Sequence, residues 1–368
     1  MRKTAENRKS VCVFSDLYKK KFPKPPVSGL PKESVWYDAS TLTIAGKGWS
    51  LESRTYERLP SRAEKLIPEK PWRQSLAGAG VSIRFCSNAP MFFARWVDYN
   101  NEWAKNQEPA NQPVLYVRED GRWRWLGTSS GKNTPIFKLI NDLIPVKERE
   151  YLLYLPMGRG VRKMDIGIPK GFYIYPSLLS GERPVLFYGT SIIHGASAAS
   201  RPGLNLVALL ERHFDYPFLN LGFSGSACME PEVIKFVSEI DACVYIIDCL
   251  PNMVAKTVKE RFVPAIRLLR KRRPQTPIIV VESLLYEDGF LVACRKNRCE
   301  GSNAELKKWY TRLKKEGVKG LSYVTGKALF GGETEVTRDG THPTDFGYRC
   351  MAKTFIPLLA PYIKKNLL

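Results

Sequence analysis

From residue 184 onward the chain repeats one pattern five times. Strand-like runs at 185–188, 218–221, 244–247, 278–281 and 321–324, three of them apolar at every position and two broken only by Asn220 and Ser322, alternate with stretches of helical character at about 203–213, 231–239, 256–273, 302–316 and 345–365. A strand that is apolar at every position is covered on both faces, and parallel neighbours need a crossover long enough to hold a helix. The pattern therefore predicts an α/β domain with a parallel sheet between two helical layers. Such sheets bind ligands in the crevice beyond the carboxyl ends of their strands. The residues just after each run are the ones to search for chemistry.

The first 180 residues read differently. Short runs at 81–85, 91–97, 114–117, 122–126 and 151–155 have strand character, several of them alternating apolar with polar, and Asp120-Gly121 between two of them is a hairpin turn. These features predict an antiparallel β-sandwich, a jelly roll, with little helix. At 368 residues the chain is long for one domain. The expected division is an N-terminal sandwich over 1–180 and an α/β domain over 181–368. Seven tryptophans fall within the first 125 residues. Sandwich cores use Trp routinely, so these are assigned to the core before stacking on sugars is invoked.

Four segments sit where the α/β pattern places ligand contacts. The first strand runs through Tyr188-Gly189-Thr190 into Ser191, a serine on a tight turn. Near the C-terminus, Asp339-Gly340-Thr341-His342 puts a carboxylate three residues before an imidazole, close enough to meet within one turn. A serine attacks a carbonyl well when a base takes its proton and a carboxylate holds that base in the right tautomer. Ser191, His342 and Asp339 are the candidates for those roles. The chain has two further histidines, and His194 is near Ser191 in sequence but is assigned to the lining of the turn. Between these segments lie the glycine-rich Asn220-Leu-Gly-Phe-Ser-Gly225-Ser226 and Asp248-Cys-Leu-Pro-Asn252, which can present a backbone N–H and a side-chain amide to a small group.

Ser, Gly, Asn and His blocks in this order resemble those of the SGNH (GDSL-like) hydrolases. Tyr151-Leu-Leu-Tyr-Leu-Pro156 and Ala199-Ser-Arg-Pro-Gly203 are further similar to a bacterial branch carrying a β-domain ahead of the catalytic one. The resemblance implies a flavodoxin-like three-layer αβα fold and an acyl-enzyme mechanism. It makes Ser191 the nucleophile, His342 the base and then the acid, and Asp339 the orienting carboxylate. The backbone N–H groups of Ser191 and Gly225 and the Asn252 amide would form the oxyanion hole, and Arg201 would contact a polar substrate. Three departures stand out. Thr190 replaces the Asp of the Gly-Asp-Ser block, Met253 follows Asn252 where the family has Asp, and Gln112-Pro-Val-Leu-Tyr116 stands where this branch has Gly-x-Asp-Leu-Tyr. The implied activity is a serine esterase acting on small acyl groups, acetyl foremost, on a carbohydrate. A thioesterase or lysophospholipase and a non-catalytic carbohydrate-binding relative remain as alternatives.

The implied chemistry needs no cofactor and no metal. Cys294 and Cys299 flank a basic segment without the His or second Cys pair that zinc requires. The net charge of +21 is read first as solvated helix faces and second as attraction to an acidic polysaccharide, since no nucleic-acid-binding motif accompanies it. No apolar run reaches the roughly 18 to 20 residues of a membrane span. The apolar patch at 11–14 is too short for a signal-peptide core, which gives a cytoplasmic expectation by default, with a periplasmic or secreted location left open by the family resemblance.

Overall fold

The computed structural model describes residues 33–52, 55–100, 102, 111–129, 136–140, 142–178 and 181–367. The first half supplies β1 (Ser34–Asp38), β2 (Thr43–Ala45), α1 (Glu69–Ser75), β3 (Ser82–Ser87), β4 (Phe93–Asp98), β5 (Val114–Glu119), β6 (Arg122–Thr128), β7 (Phe137–Lys138), β8 (Arg149–Tyr154), β9 (Val161–Pro169) and β10 (Ile174–Pro176). They form two antiparallel sheets, β1-β9-β4-β7 and β10-β3-β8-β5-β6, with β2 also paired to β3. Between them lies an aromatic core in which Phe92 packs 4.6 Å from Tyr151 and Trp96 packs 4.4 Å from Phe137. Asp120 and Gly121 join β5 to β6 with φ of 52° and 72°, the left-handed pair that a two-residue hairpin demands.

The second half follows as β11 (Val185–Gly189), α2 (Ser191–His194), α3 (Leu206–Phe214), β12 (Phe218–Gly222), α4 (Pro231–Val237), β13 (Val244–Asp248), α5 (Ala255–Arg272), β14 (Ile278–Val281), α6 (Ala293–Lys315), β15 (Leu321–Val324) and α7 (Asp345–Leu367). The strands make one parallel sheet in the order β12-β11-β13-β14-β15. Alternate residues of each strand feed opposite cores. Leu186, Tyr188, Tyr245 and Ile247 meet α4, α5 and α6, whereas Val185, Phe187, Val244 and Ile246 meet α3 and α7. That two-sided burial is why the runs are largely apolar, with Asn220 and Ser322 the polar exceptions. The strand order reverses direction at β11, so the crevice beyond β11 and β13 is where a ligand would sit.

The two halves are tied at two places. The outer face of the second sandwich sheet packs Val114, Tyr116, Leu152 and Tyr154 against Ala208 of α3. There Tyr154 Oη donates to Glu211 Oε2 at 2.6 Å, and Arg118 pairs with Asp215 at 2.7 Å. Much of what is described between residues 46 and 80, within the span expected as sandwich, packs on the α/β half instead. Trp49, Leu59, Ala63, Ile67 and Trp72 are buried in the same core as α4. The fully buried Arg58 donates to the carbonyls of Asn220 and Gly222, at 2.9 Å each, and to those of Ala77 and Gln74. β12 is the sheet's edge, and one guanidinium serves two of the carbonyls that an edge strand leaves unpaired.

Several elements differ from expectation. The little helix expected of the first half becomes α1 and a 3₁₀ turn at Ser61–Lys65, both packed on the α/β half. β9, the longest strand, carries Arg162, Lys163 and Asp165, and Asp165 is buried in an ion pair with Arg95 at 2.8 Å, which hides its apolar rhythm. α6 begins nine residues before the expected 302, through a polar stretch with a glycine inside. Trp49, Trp72 and Trp96 are core residues, while Trp125 is 51% exposed and Trp103 lies outside the described residues. No helix among the described residues is long and apolar enough to cross a membrane.

Candidate active site

Ser191 opens α2 directly after β11. Thr190 is the cap: its hydroxyl accepts the Ile192 N–H at 3.3 Å and its own N–H donates to the Asp248 carbonyl at 3.2 Å. The turn is pressed onto β12, where a Cβ on Gly222 would stand 2.2 Å from His194 N, so only glycine fits. Asn220 adds a tie by donating to the Ile193 carbonyl at 2.8 Å, and Tyr348 of α7 donates to that of Ile192 at 2.9 Å.

The loop before α7 brings in the other two candidates. Ser191 Oγ is 2.8 Å from His342 Nε2, and His342 Nδ1 is 2.7 Å from Asp339 Oδ2. Asp339 Oδ1 accepts the backbone N–H groups of His342 at 2.8 Å and Thr341 at 3.0 Å. Burial pushes the Asp339 carboxyl up, but the hydrogen bonds from His342 and Thr341 outweigh it and hold the group below its ordinary range. The loop itself is braced. Glu287 accepts the N–H groups of Val336 and Thr337 at 3.0 and 2.9 Å, and Arg295 donates to Thr341 Oγ1 at 2.8 Å while pairing with Asp288. His194 takes no part in this line. Burial first, and then the nearby Arg58 charge, pull its pKa down to about 3, so it is a neutral core imidazole.

The remaining expected residues lie on three other loops. Gly225 adopts φ +58°, on the loop after β12. The Asn252 amide donates to the Ser226 carbonyl, and more weakly to that of Phe223 at 3.5 Å, so it braces the loop that carries Gly225. Arg201 lays its guanidinium 5.0 Å from the Trp125 ring centre, across the junction of the two halves, and its buried Nη1 has no hydrogen-bond partner among the described residues. Asp248, not foreseen, ends β13 beside Gly189. Its carboxyl is buried with Oδ2 unpartnered among the described residues, and burial pushes its pKa up to about 7. Its signal in the sequence is an acid closing an apolar run. Arg58, Lys70 and Gln74 had none, because their contacts reach about 150 residues along the chain. Among the described residues no three His, Cys, Asp or Glu side chains converge as a metal site would need. A cleft of about 800 Å³ borders Asp339, walled by Leu285, Tyr286, Phe290 and Phe330.

A serine, an imidazole and a carboxylate aligned in this way are equipped for acyl transfer. The comparisons with known proteins agree. The GDSL-like lipase/acylhydrolase family profile matches residues 182–360, and a profile described as the N-terminus of SGNH-hydrolase-type esterases matches 34–174. A solved protein from Bacteroides ovatus ATCC 8483, described as a GDSL-like lipase, is 31% identical with a TM-score of 0.84, covering 90% of this chain and 98% of its own. The salicylyl-acyltransferase SsfX3 of a tetracycline biosynthetic pathway shares the fold at 19% identity and a TM-score of 0.71, with the same coverage of each chain. The acetyl xylan esterase Est2A of Butyrivibrio proteoclasticus shares it at 11% identity and a TM-score of 0.52, covering 90% of this chain and 99% of its own. No curated protein sequence matches the chain. With a relative at 31% identity across nearly its whole length, the chain belongs to the GDSL-like lipase/acylhydrolase family and is a carboxylic ester hydrolase.

Proposed function

We propose that this protein is a serine esterase that removes small acyl groups, acetyl foremost, from carbohydrate esters. The observation that carries the proposal is the unbroken hydrogen-bonded line from Ser191 Oγ through His342 to Asp339. His342, neutral and accepting at Nε2, takes the Ser191 proton as Oγ attacks the ester carbonyl. The negative charge that develops on the carbonyl oxygen is met by the N–H groups of Ser191 and Gly225. The second amide hydrogen of Asn252, held only by the 3.5 Å contact to Phe223, turns toward it as the third donor. His342 then returns the proton to the leaving sugar hydroxyl, and water repeats the sequence on the acyl-Ser191 intermediate. Arg201, with its unpartnered Nη1, is the donor to the polar part of the substrate.

The carbohydrate is supported by the fold shared with an acetyl xylan esterase. Long acyl chains have one observation in their favour, the cleft beside Asp339 with Leu285 and Phe290 47% and 81% exposed. A panel of p-nitrophenyl esters from C2 to C12 decides: activity greatest at C2 supports the small-acyl reading, and activity rising with chain length overturns it. Labelling by a serine-directed fluorophosphonate, lost in Ser191→Ala, separates both from a non-catalytic binding protein. The same reading extends to the N-terminal half, with the division near residue 180. The orders β1-β9-β4-β7 and β3-β8-β5-β6 support a jelly roll of eight strands.

A further inference from the structure

The loop carrying Gly225 is held from outside its own domain. The Ser224 carbonyl accepts from Gln74 Nε2 at 2.6 Å, and the Gly225 carbonyl accepts from Lys70 Nζ at 2.8 Å. Both donors belong to α1, in the N-terminal half. On its other flank the loop is tied by the Asn252 amide, and the Phe223 N–H donates to the Gly189 carbonyl at 2.8 Å. The N–H groups of Phe223, Ser226 and Cys228 have acceptors, whereas those of Ser224, Gly225 and Ala227 have none among the described residues. Of these three, only the Gly225 N–H belongs to a peptide unit whose carbonyl, that of Ser224, is held by α1.

We propose that Gln74 is the positioning residue of the oxyanion hole, aiming the Gly225 N–H from a segment outside the catalytic domain. A trans peptide is planar, and the C=O of one residue points opposite to the N–H of the next. Drawing the Ser224 carbonyl onto Gln74 therefore turns the Gly225 N–H to the other side of the loop, and fixes it there. The same bond polarises the peptide unit, strengthening the N–H as a donor. Gln74 is itself fixed, because its backbone carbonyl accepts Arg58 Nη2 at 2.7 Å. Its side-chain oxygen is buried with no partner among the described residues. A buried orphan oxygen is costly, so the amide is retained for the N–H it gives to Ser224. Positive φ at Gly225 brings the loop around so that Lys70 holds the next carbonyl from the same side. The N-terminal half thus contributes to turnover without touching the substrate.

This inference rests on the oxyanion role given to Gly225 above. Its test is Gln74→Met, of similar length and apolar stem but with no hydrogen to donate to the Ser224 carbonyl. Steady-state hydrolysis of p-nitrophenyl acetate and inhibition by a simple alkylboronic acid, whose Ser191 adduct is tetrahedral, are measured together. Removing an oxyanion donor outright lowers turnover roughly a hundred- to a thousandfold. A donor left in place but re-aimed loses less, so kcat falls about ten- to a hundredfold, KM stays within about twofold, and boronate affinity falls by the same factor as kcat. A kcat within about twofold of the wild type would overturn the inference while leaving the esterase reading intact. A lowered kcat with unchanged boronate affinity would also overturn it, since mere loosening of the fold does not single out the tetrahedral state. An inactive, unlabelled wild type would instead strike at the esterase reading itself.

Discussion

Asp339→Asn separates the orienting role of this carboxylate from its bulk. In the native site Oδ1 accepts two backbone N–H groups, at 2.8 and 3.0 Å, and Oδ2 accepts from His342 Nδ1 at 2.7 Å. An asparagine has one oxygen for these two duties. Facing the imidazole, it would set its NH2 against two backbone donors and lose both bonds. Facing the backbone, it keeps both and loses one. The second placement wins, and it presents an N–H donor to Nδ1. The imidazole proton then moves to Nε2, which donates to Ser191 Oγ instead of accepting from it, and general-base catalysis stops. In a serine protease of another fold the equivalent exchange lowers kcat about ten-thousandfold. Here the Asp339 side chain is 50% exposed, and water can satisfy part of either placement. The expected loss is therefore nearer a thousandfold, or about 4 kcal/mol of transition-state stabilisation. The assay is kcat on p-nitrophenyl acetate, with active sites counted by fluorophosphonate. His342→Ala run beside it is expected to match Ser191→Ala, because these residues act as a unit. Retention of more than about a tenth of kcat by Asp339→Asn would refute the tautomer argument.

Two further outcomes concern the frame beneath the site. Arg58→Met strands the carbonyls of Ala77, Asn220 and Gly222, while that of Gln74 keeps the Ala77 N–H. Each stranded acceptor costs about 1–3 kcal/mol, relief of the buried charge offsets part of this, and a net loss of about 3–5 kcal/mol is expected in urea unfolding, with less than about 1 contradicting it. Asp248→Asn bears on pH. The folded carboxyl titrates at about 7, above the roughly 3.9 of an unfolded Asp. Between those values the folded state keeps a proton that the unfolded state releases, so wild-type stability falls as pH rises through the window, by up to about 4 kcal/mol. The variant lacks that loss and is expected to gain on the wild type in melting temperature from pH 4 to pH 8, and a constant difference would count against a neutral Asp248.

What was legible in the sequence follows from how local each signal is. The five core strands were visible because the sheet is covered on both faces, which leaves only Asn220 and Ser322 as polar positions in the runs. The Ser191, Asp339 and His342 line was visible because two of its members are three residues apart and the third follows a strand. β9 was not, because Arg162, Lys163 and Asp165 interrupt its apolar rhythm, and the partner that lets Asp165 be buried, Arg95, lies 70 residues earlier. α1 was not, because seven residues containing Pro71 form a helix only when Trp72 is buried against the α/β half. An expected boundary near residue 180 could not show that much of what is described between residues 46 and 80 packs on the α/β half.

The departures from the family's motifs become intelligible in the same terms. Thr190, where the family has Asp, still caps α2 by accepting the Ile192 N–H, and Asp and Thr are both good N-caps. The exchange keeps the turn and gives up only a charge that a fully buried position would penalise. Met253 is buried in the core with Val258 and Phe262, so an apolar residue after Asn252 fits where a carboxylate would be stranded. In Gln112-Pro-Val-Leu-Tyr116, Leu115 fills the sandwich core, while Val114 and Tyr116 pack against α3. Tyr116 also lies beneath the Arg212 guanidinium, 4.1 Å away, and against Gly203. Arg212 in turn donates to the Gly203 carbonyl at 2.6 Å. What survives of that motif is thus its docking half, and it is joined to the Arg201-Pro202-Gly203 loop. Of the three, only the Gln112 to Tyr116 segment lies where the two halves meet. Thr190 and Met253 are exchanges inside the α/β half, one keeping the cap on α2 and the other the core packing beside α5.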